Sequence, residues 1–174
     1  MNAAVFRKDQ LLVVEEVPYP VLGDDDIIIK VKYCGICGSD VHRYIYGMMN
    51  PGTIMGHEFS GVIVEKGKNA KGFEIGDRVA RWGGKIIPGR DVYNYPPRYS
   101  AKERGFSTSK PGAYAQYMSI NFENLIKIPD EVTDLDAALL EPLTVVIHAV
   151  RQSKIRLGDN VMVLGAGPIG LFTI

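Results

Sequence analysis

Residues 27–42 read Ile-Ile-Ile-Lys-Val-Lys-Tyr-Cys-Gly-Ile-Cys-Gly-Ser-Asp-Val-His, a β-branched run that stops at a glycine-flanked thiol loop. Ile27 to Tyr33 has the composition of a strand, because branched side chains suit a pleated surface. The same grammar extends outward on both sides. Ala3 to Phe6, Leu11 to Val17, Phe59 to Val64 and Arg78 to Ala80 read as further strands. Gly112 to Ile120 and Leu125 to Ile128 resume the pattern later. Between them lie turn signals: Pro18, Pro20, Gly23 followed by three aspartates, and Lys-Gly-Lys-Asn at 66–69. Ser39 to Tyr46 is a short helix candidate, with Ser39 as N-cap and Gly47 as its stop. Many short strands with little helix predict a mainly β, barrel-like domain.

Composition narrows the function classes. The chain has 174 residues, 46% hydrophobic and 23% charged, which is globular rather than disordered or fibrous. Lys+Arg and Asp+Glu both number 20, so the basic excess of a nucleic-acid or acidic-membrane binder is missing. Two cysteines cannot build a disulfide framework, and a reduced, cytoplasmic setting is expected. The opening MNAAVFRKDQ has no apolar signal-peptide core, and Val161 to Ile174, within the longest uncharged run, is too short to span a bilayer.

After Pro129 the pattern turns helical. Thr133-Asp-Leu-Asp136 opens a helix with acids where the dipole favours them. Pro142 should interrupt it, and a second helix is expected from about Leu143 to Gln152. Asn160 to Leu164 reads as an apolar strand entering Gly165-Ala-Gly167-Pro-Ile-Gly170, the strand–turn–helix arrangement of a dinucleotide fingerprint.

Three places carry possible chemistry. Cys34-Gly-Ile-Cys37 could be a redox pair or half a zinc knuckle, but it has no second C-x-x-C and no βαβ context. Cys34 closes an apolar strand and is read as structural, whereas Cys37 lies beside Ser39, Asp40 and His42. Gly56-His57-Glu58 precedes a strand, and two of the three histidines, His42 and His57, fall in glycine-bounded turns. Zinc accepts all three donor types found there: thiolate, imidazole and carboxylate. Glu141, before Pro142, is either an N-cap of the second helix or a ligand held by a rigid proline.

Taken in order, G-I-C-G-S-D-x-H at 35–42, G-H-E at 56–58, G-D-R-V at 76–79, E-P-L at 141–143 and G-A-G-P-I-G at 165–170 resemble the zinc-dependent medium-chain alcohol and polyol dehydrogenases. Within them the chain is most similar to the sorbitol-dehydrogenase branch. The resemblance implies a GroES-like, partly open β-barrel catalytic domain over residues 1–141. It implies that 142–174 hold the first helix and strand of an incomplete Rossmann domain. It also makes Cys37 and His57 zinc ligands, with one or both of Glu58 and Glu141 completing the site; in polyol-type relatives Glu58 ligates while Glu141 holds a zinc-bound water. Ser39 matches the hydroxyl that bonds the substrate alcohol, and His42 matches the base at the end of a proton relay. Ser39, His42 and Glu58 are thereby the expected catalytic residues. Asp40 matches the carboxylate that orients the zinc histidine, and Gly165, Gly167 and Gly170 match the cofactor-binding turn.

The implied function is oxidation of a polyol or secondary alcohol with NAD or NADP, which the 174 residues alone are not expected to complete. Two rivals stand beside it: a zinc-free reductase on the same scaffold, and a non-enzymatic GroES-like binding module. Many relatives place four cysteines after G-D-R-V to bind a structural zinc. Residues 81–111 have none, so a single zinc is expected. That segment carries seven Lys or Arg against Asp91 and Glu103, and reads as a solvated loop or subunit contact. Tyr44, Tyr46, Phe106 and Tyr114 either line a pocket or simply pack. Finally, Val145, Val146, Val150, Val161, Val163 and Leu164 form an apolar set beside an unpaired strand, from which a homodimer through the C-terminal segment is expected.

Overall fold

A computed structural model describes residues 1–81 and 111–174. The strands are β1 (Asn2–Arg7), β2 (Leu11–Glu16), β3 (Asp26–Gly35), β4 (Glu58–Lys66), β5 (Arg78–Arg81), β6 (Tyr117–Asn121) and β7 (Leu125–Lys127). The helices are α1 (Gly38–Ile45), α2 (Asp134–Ala138), α3 (Leu140–Ser153) and α4 (Pro168–Thr173). The protein is therefore mainly β with short helices.

β1 and β2 form an antiparallel hairpin. The other five strands make one antiparallel sheet in the order β6-β3-β4-β5-β7. Its edges, β6 and β7, do not pair with each other, so the sheet stays open rather than closing into a barrel. Isolated bridges from Ala3 to Ala115 and from Val5 to Ile54 tie the hairpin to the segments that flank the site.

The β-branched run at 27–29 becomes the core. Ile27, Ile29, Phe59, Ile63, Val79, Met118 and Leu125 pack together as one buried cluster. Burial of each large side chain contributes about 1.5–3 kcal/mol, which makes the central strands β3 and β4 the rigid part of the molecule. Register shifts in the β3–β4 ladder fall between Ile28 and Ile29 and between Val31 and Tyr33, so β3 bends before it delivers the thiol loop.

Three expectations need correction. Ser39 is not the N-cap of α1; Cys37 is, its Sγ accepting from the Ser39 amide at 3.5 Å while the Cys37 amide donates to Asp40 Oδ2 at 3.3 Å. Pro142 does not end a helix. α2 stops at Leu139, and Pro142 sits in the first turn of α3, where a missing N–H costs nothing because that amide has no intrahelical partner. Asn160–Leu164 is not a strand: no other described strand lies beside it to accept its hydrogen bonds, and Val161 (52% exposed) and Leu164 (88%) face solvent. The apolar set expected at the surface is also mixed, since Val146 is buried in α3. The cysteine-free basic segment lies outside the described residues apart from Arg81 and Pro111.

Candidate metal centre

Two turns converge at one end of the sheet. The first follows β3, where the chain leaves Gly35 and enters α1 through Cys37. The second precedes β4, where Gly56 adopts φ +95°, in the left-handed region that favours glycine. A Cβ at Gly56 would also meet the Tyr114 ring at 2.6 Å and Cys34 Sγ at 2.9 Å. The turn therefore needs glycine twice over, and it delivers His57 and Glu58 opposite the thiol loop.

Candidate ligand atoms of Cys37, His57 and Glu58 lie within 4.8 Å of one another. His57 and Glu58 are each 8% exposed. One thiol, one imidazole and one carboxylate at this spacing form a zinc-compatible donor set with room for a fourth ligand. His57 Nδ1 lies 3.5 Å from Asp40 Oδ1, which leaves Nε2 as the nitrogen available to a metal. Asp40 itself is 3% exposed. Burial pushes its carboxyl up, but the His57 hydrogen bond and charge, the Tyr114 hydroxyl and the Cys37 amide outweigh that and hold it below the usual carboxylate range.

Glu141 is not one of the three clustered donors, yet it borders them. It lies in the first turn of α3, which packs against β4 and β5. Burial raises its carboxyl above the ordinary value, against the opposing pull of His57 and Arg81. Arg81, at the end of β5, donates from Nη1 to the His57 carbonyl at 3.3 Å. Burial lowers the Arg81 guanidinium, while Glu141 and Asp40 favour its charge. The centre thus holds a buried cation, whereas the sequence places Arg81 at the start of a solvated loop.

The remaining expected residues fall outside this cluster. Ser39 and His42 are exposed, three residues apart on α1, and the His42 ring lies 4.5 Å from that of Tyr46. Cys34 does not join the clustered donors. Its thiol is pushed up to about 12, by burial first and the Asp40 charge second, which fits a structural role. Gly165 has φ +108°, Gly167 caps α4, and a Cβ on Gly170 would overlap the Gly165 carbonyl. Gly165 and Gly170 thus need glycine, whereas a Cβ on Gly167 would meet open space, and the turn borders a shallow hollow of ≈ 350 Å³. Of the four aromatics, Tyr44 packs edge-on against Phe6, Phe106 lies outside the described residues, and Tyr114 reaches the centre.

The alcohol dehydrogenase GroES-like domain family matches residues 23–130, a span that contains Cys37, Asp40, His57 and Glu58. The chain belongs to that family. Among curated relatives, the GroES-like chain is 36% identical over 190 aligned positions to (R,R)-butanediol dehydrogenase of Bacillus subtilis (strain 168), covering 100% of this chain and 54% of the relative. It is 41% identical over 162 positions to sorbitol dehydrogenase of Halalkalibacterium halodurans, covering 91% of this chain and 47% of the relative. A crystal structure of 2R,3R-butanediol dehydrogenase from Bacillus subtilis superposes with a TM-score of 0.80 at 33% identity, over 99% of this chain and 53% of that one. The chain spans about half the length of the curated relatives it matches.

Proposed function

We propose that this chain is the catalytic half of a zinc-dependent, NAD(P)-linked oxidoreductase acting on the CH–OH group of a polyol or secondary alcohol. The observation that carries the reading is the convergence of Cys37, His57 and Glu58 within 4.8 Å, with Asp40 on the far nitrogen of the histidine. Butanediol and sorbitol dehydrogenases among the relatives support the substrate class. In this reading Cys37, His57 and Glu58 hold the zinc, and Glu141 stands by as the neighbouring carboxylate. Zinc supplies Lewis-acid polarisation of the alcohol oxygen, and NAD(P) supplies the hydride acceptor.

The chain's own residues do the rest. Asp40 accepts from His57 Nδ1 and keeps the imidazole in one tautomer and one orientation. The Ser39 hydroxyl relays the substrate proton, accepting it as it releases its own, and His42 is the base at the far end of that relay. The buried walls around His57 and Glu58 limit water near the reacting oxygen, where fixed charge is worth most. Gly165, Gly167 and Gly170 take the cofactor pyrophosphate, on the grounds that their turn leaves backbone room for it.

The domain division we propose places the boundary at 141/142. Among the described residues no helix is long and apolar enough to cross a membrane. A cytoplasmic setting and a homodimer through the C-terminal segment complete the reading. The exposed Val161, Met162, Leu164 and Leu171 support the dimer, as apolar surface that another chain would cover. Light scattering across a concentration series tests it; a persistent monomer contradicts it.

The activity is tested by NAD(P)H formation in the intact protein from a panel of polyols and secondary alcohols. We expect turnover that is lost on metal stripping and regained with zinc. Turnover indifferent to stripping favours a zinc-free reductase. Neither turnover nor zinc uptake favours a binding module.

A further inference from the structure

Tyr114 is separated from Asp40 by 74 positions in sequence, yet its hydroxyl lies 2.9 Å from Asp40 Oδ2 and 3.2 Å from the Gly35 carbonyl. A phenol has one proton to donate. The shorter contact is also the charged one, so the proton belongs on the carboxylate. Burial, then the Asp40 charge and hydrogen bond, push the Tyr114 phenol far above its ordinary value, so it remains a neutral donor throughout the physiological range.

The rest of the residue is built in from both sides. Its amide donates to the Met55 carbonyl at 2.9 Å, and its carbonyl accepts from the Ala4 amide at 2.7 Å. Its ring fills the space that Gly56 leaves by lacking a Cβ. The hydroxyl is therefore presented by a segment anchored to β1 and to the 53–56 turn, independently of α1, which carries Asp40.

Asp40 is held by two donors besides His57. The Cys37 amide and the Tyr114 hydroxyl both approach Oδ2, which leaves Oδ1 facing His57 Nδ1. We propose that Tyr114 is a positioning residue for the metal histidine: by occupying Oδ2 of Asp40 it commits Oδ1 to His57 Nδ1 and so presents Nε2 to the cation. This rests on the reading of His57 as a metal ligand. It goes further by assigning a role to a residue outside the clustered donors. An outer partner of a ligating histidine sets its tautomer and basicity, and removal of a direct partner commonly costs about 10–100-fold in metal affinity. Tyr114 acts one residue further out, so a smaller effect follows, about 3–10-fold.

Tyr114→Phe removes the hydroxyl and keeps the ring. Zinc affinity is read by chelator competition on the whole chain, for the parent, Tyr114→Phe, Asp40→Asn and the double variant. We expect Tyr114→Phe to raise the zinc Kd about 3–10-fold, beside a moderate fall in the metal-free unfolding midpoint from the lost hydrogen bond. In the Asp40→Asn background the same change should add almost nothing, because the path through Asp40 is already broken. Equal zinc Kd values for parent and Tyr114→Phe overturn the proposal, as does an undiminished effect in the Asp40→Asn background. A second readout needs no metal: ¹⁵N NMR of His57 in the metal-free chain. There the Nδ1–H tautomer should be less populated in Tyr114→Phe, and an unchanged population contradicts the role. If the parent takes up no zinc, the metal reading fails on its own, and the tautomer measurement decides the tyrosine separately.

Discussion

Gly35 stands directly opposite Glu58 in the β3–β4 ladder, and a methyl group on Gly35 would overlap the Glu58 carboxylate. The backbone at Gly35 is extended, so alanine suits its conformation; only the space is missing. Because the obstructing atoms end a flexible side chain, relief comes from moving the carboxylate rather than the strand.

Gly35→Ala should therefore separate metal binding from folding. We expect stability within about 1 kcal/mol of the parent. Zinc affinity should fall about 10-fold, as expected when one ligand of a pre-organised set is displaced. Chelator competition and thermal unfolding of the metal-free protein check the two halves. A large loss of stability with unchanged affinity would mean the carboxylate position does not matter to the metal.

The two thiols should behave differently. Burial and the Asp40 charge push Cys34 up to about 12, so at pH 8 roughly one molecule in 10⁴ carries its thiolate. Metal-free protein treated with iodoacetamide should be alkylated at Cys37 and spared at Cys34, and zinc should protect Cys37. Peptide mapping reads both. Equal labelling of the two would contradict the assignment.

Much of this was legible in the sequence, because local signals agreed with the tertiary outcome. Four strands of the five-stranded sheet were read within two residues, since branched runs bounded by glycine and proline leave few alternatives; the reading of β6 began five residues early, at Gly112 rather than Tyr117. The same holds for Thr133, which caps α2 by accepting from the Asp136 amide at 3.1 Å. Misreadings arose where a local rule met a competing one. Cys37 took the cap from Ser39 because its sulfur reaches the next turn, and Pro142 fits a helix start as well as it breaks a helix middle. Asn160–Leu164 has a strand's composition, but a strand exists only through its ladder. The contacts of Tyr114, named only as an aromatic that lines a pocket or packs, and of Arg81 were beyond reach for a different reason. Their partners lie 74 and 24 positions away in sequence, and nothing near either residue announces the contact.

The Asp77–Lys127 pair gives stability a pH signature. Lys127 Nζ lies 2.7 Å from Asp77 Oδ2, which also accepts from the Glu74 amide at 2.7 Å. Together, the Lys127 hydrogen bond foremost, they hold the Asp77 carboxyl below the usual range. A depressed carboxylate stabilises the fold fully above its unfolded value near pH 4, and that contribution disappears as pH falls through the folded value. With Lys127 half exposed, solvent screening limits the gain to about 1 kcal/mol or less. Urea unfolding should show the parent ahead of Asp77→Asn at pH 7 and level with it at pH 2. A gap that persists at pH 2 would assign the effect to something other than this charge.

Ser60, fully buried in β4, bolts α2 to the sheet by donating to the Asp134 carbonyl at 2.5 Å. Asp134 is also held by Arg78 Nε at 2.8 Å. Ser60→Ala removes this buried hydrogen bond, while the carbonyl keeps its place in the first turn of α2, and should cost about 1 kcal/mol. Denaturant unfolding with an unchanged slope would show a pure stability effect, and a loss below measurement error would contradict it.

The most direct test of the metal centre is zinc per chain, measured by elemental analysis after zinc-supplemented expression and chelator-free purification. Parent, Cys37→Ala and Cys34→Ala are compared side by side. The account predicts one zinc in the parent, one in Cys34→Ala and a small fraction in Cys37→Ala. A parent without zinc, or a Cys37→Ala protein that keeps its full complement, would contradict it.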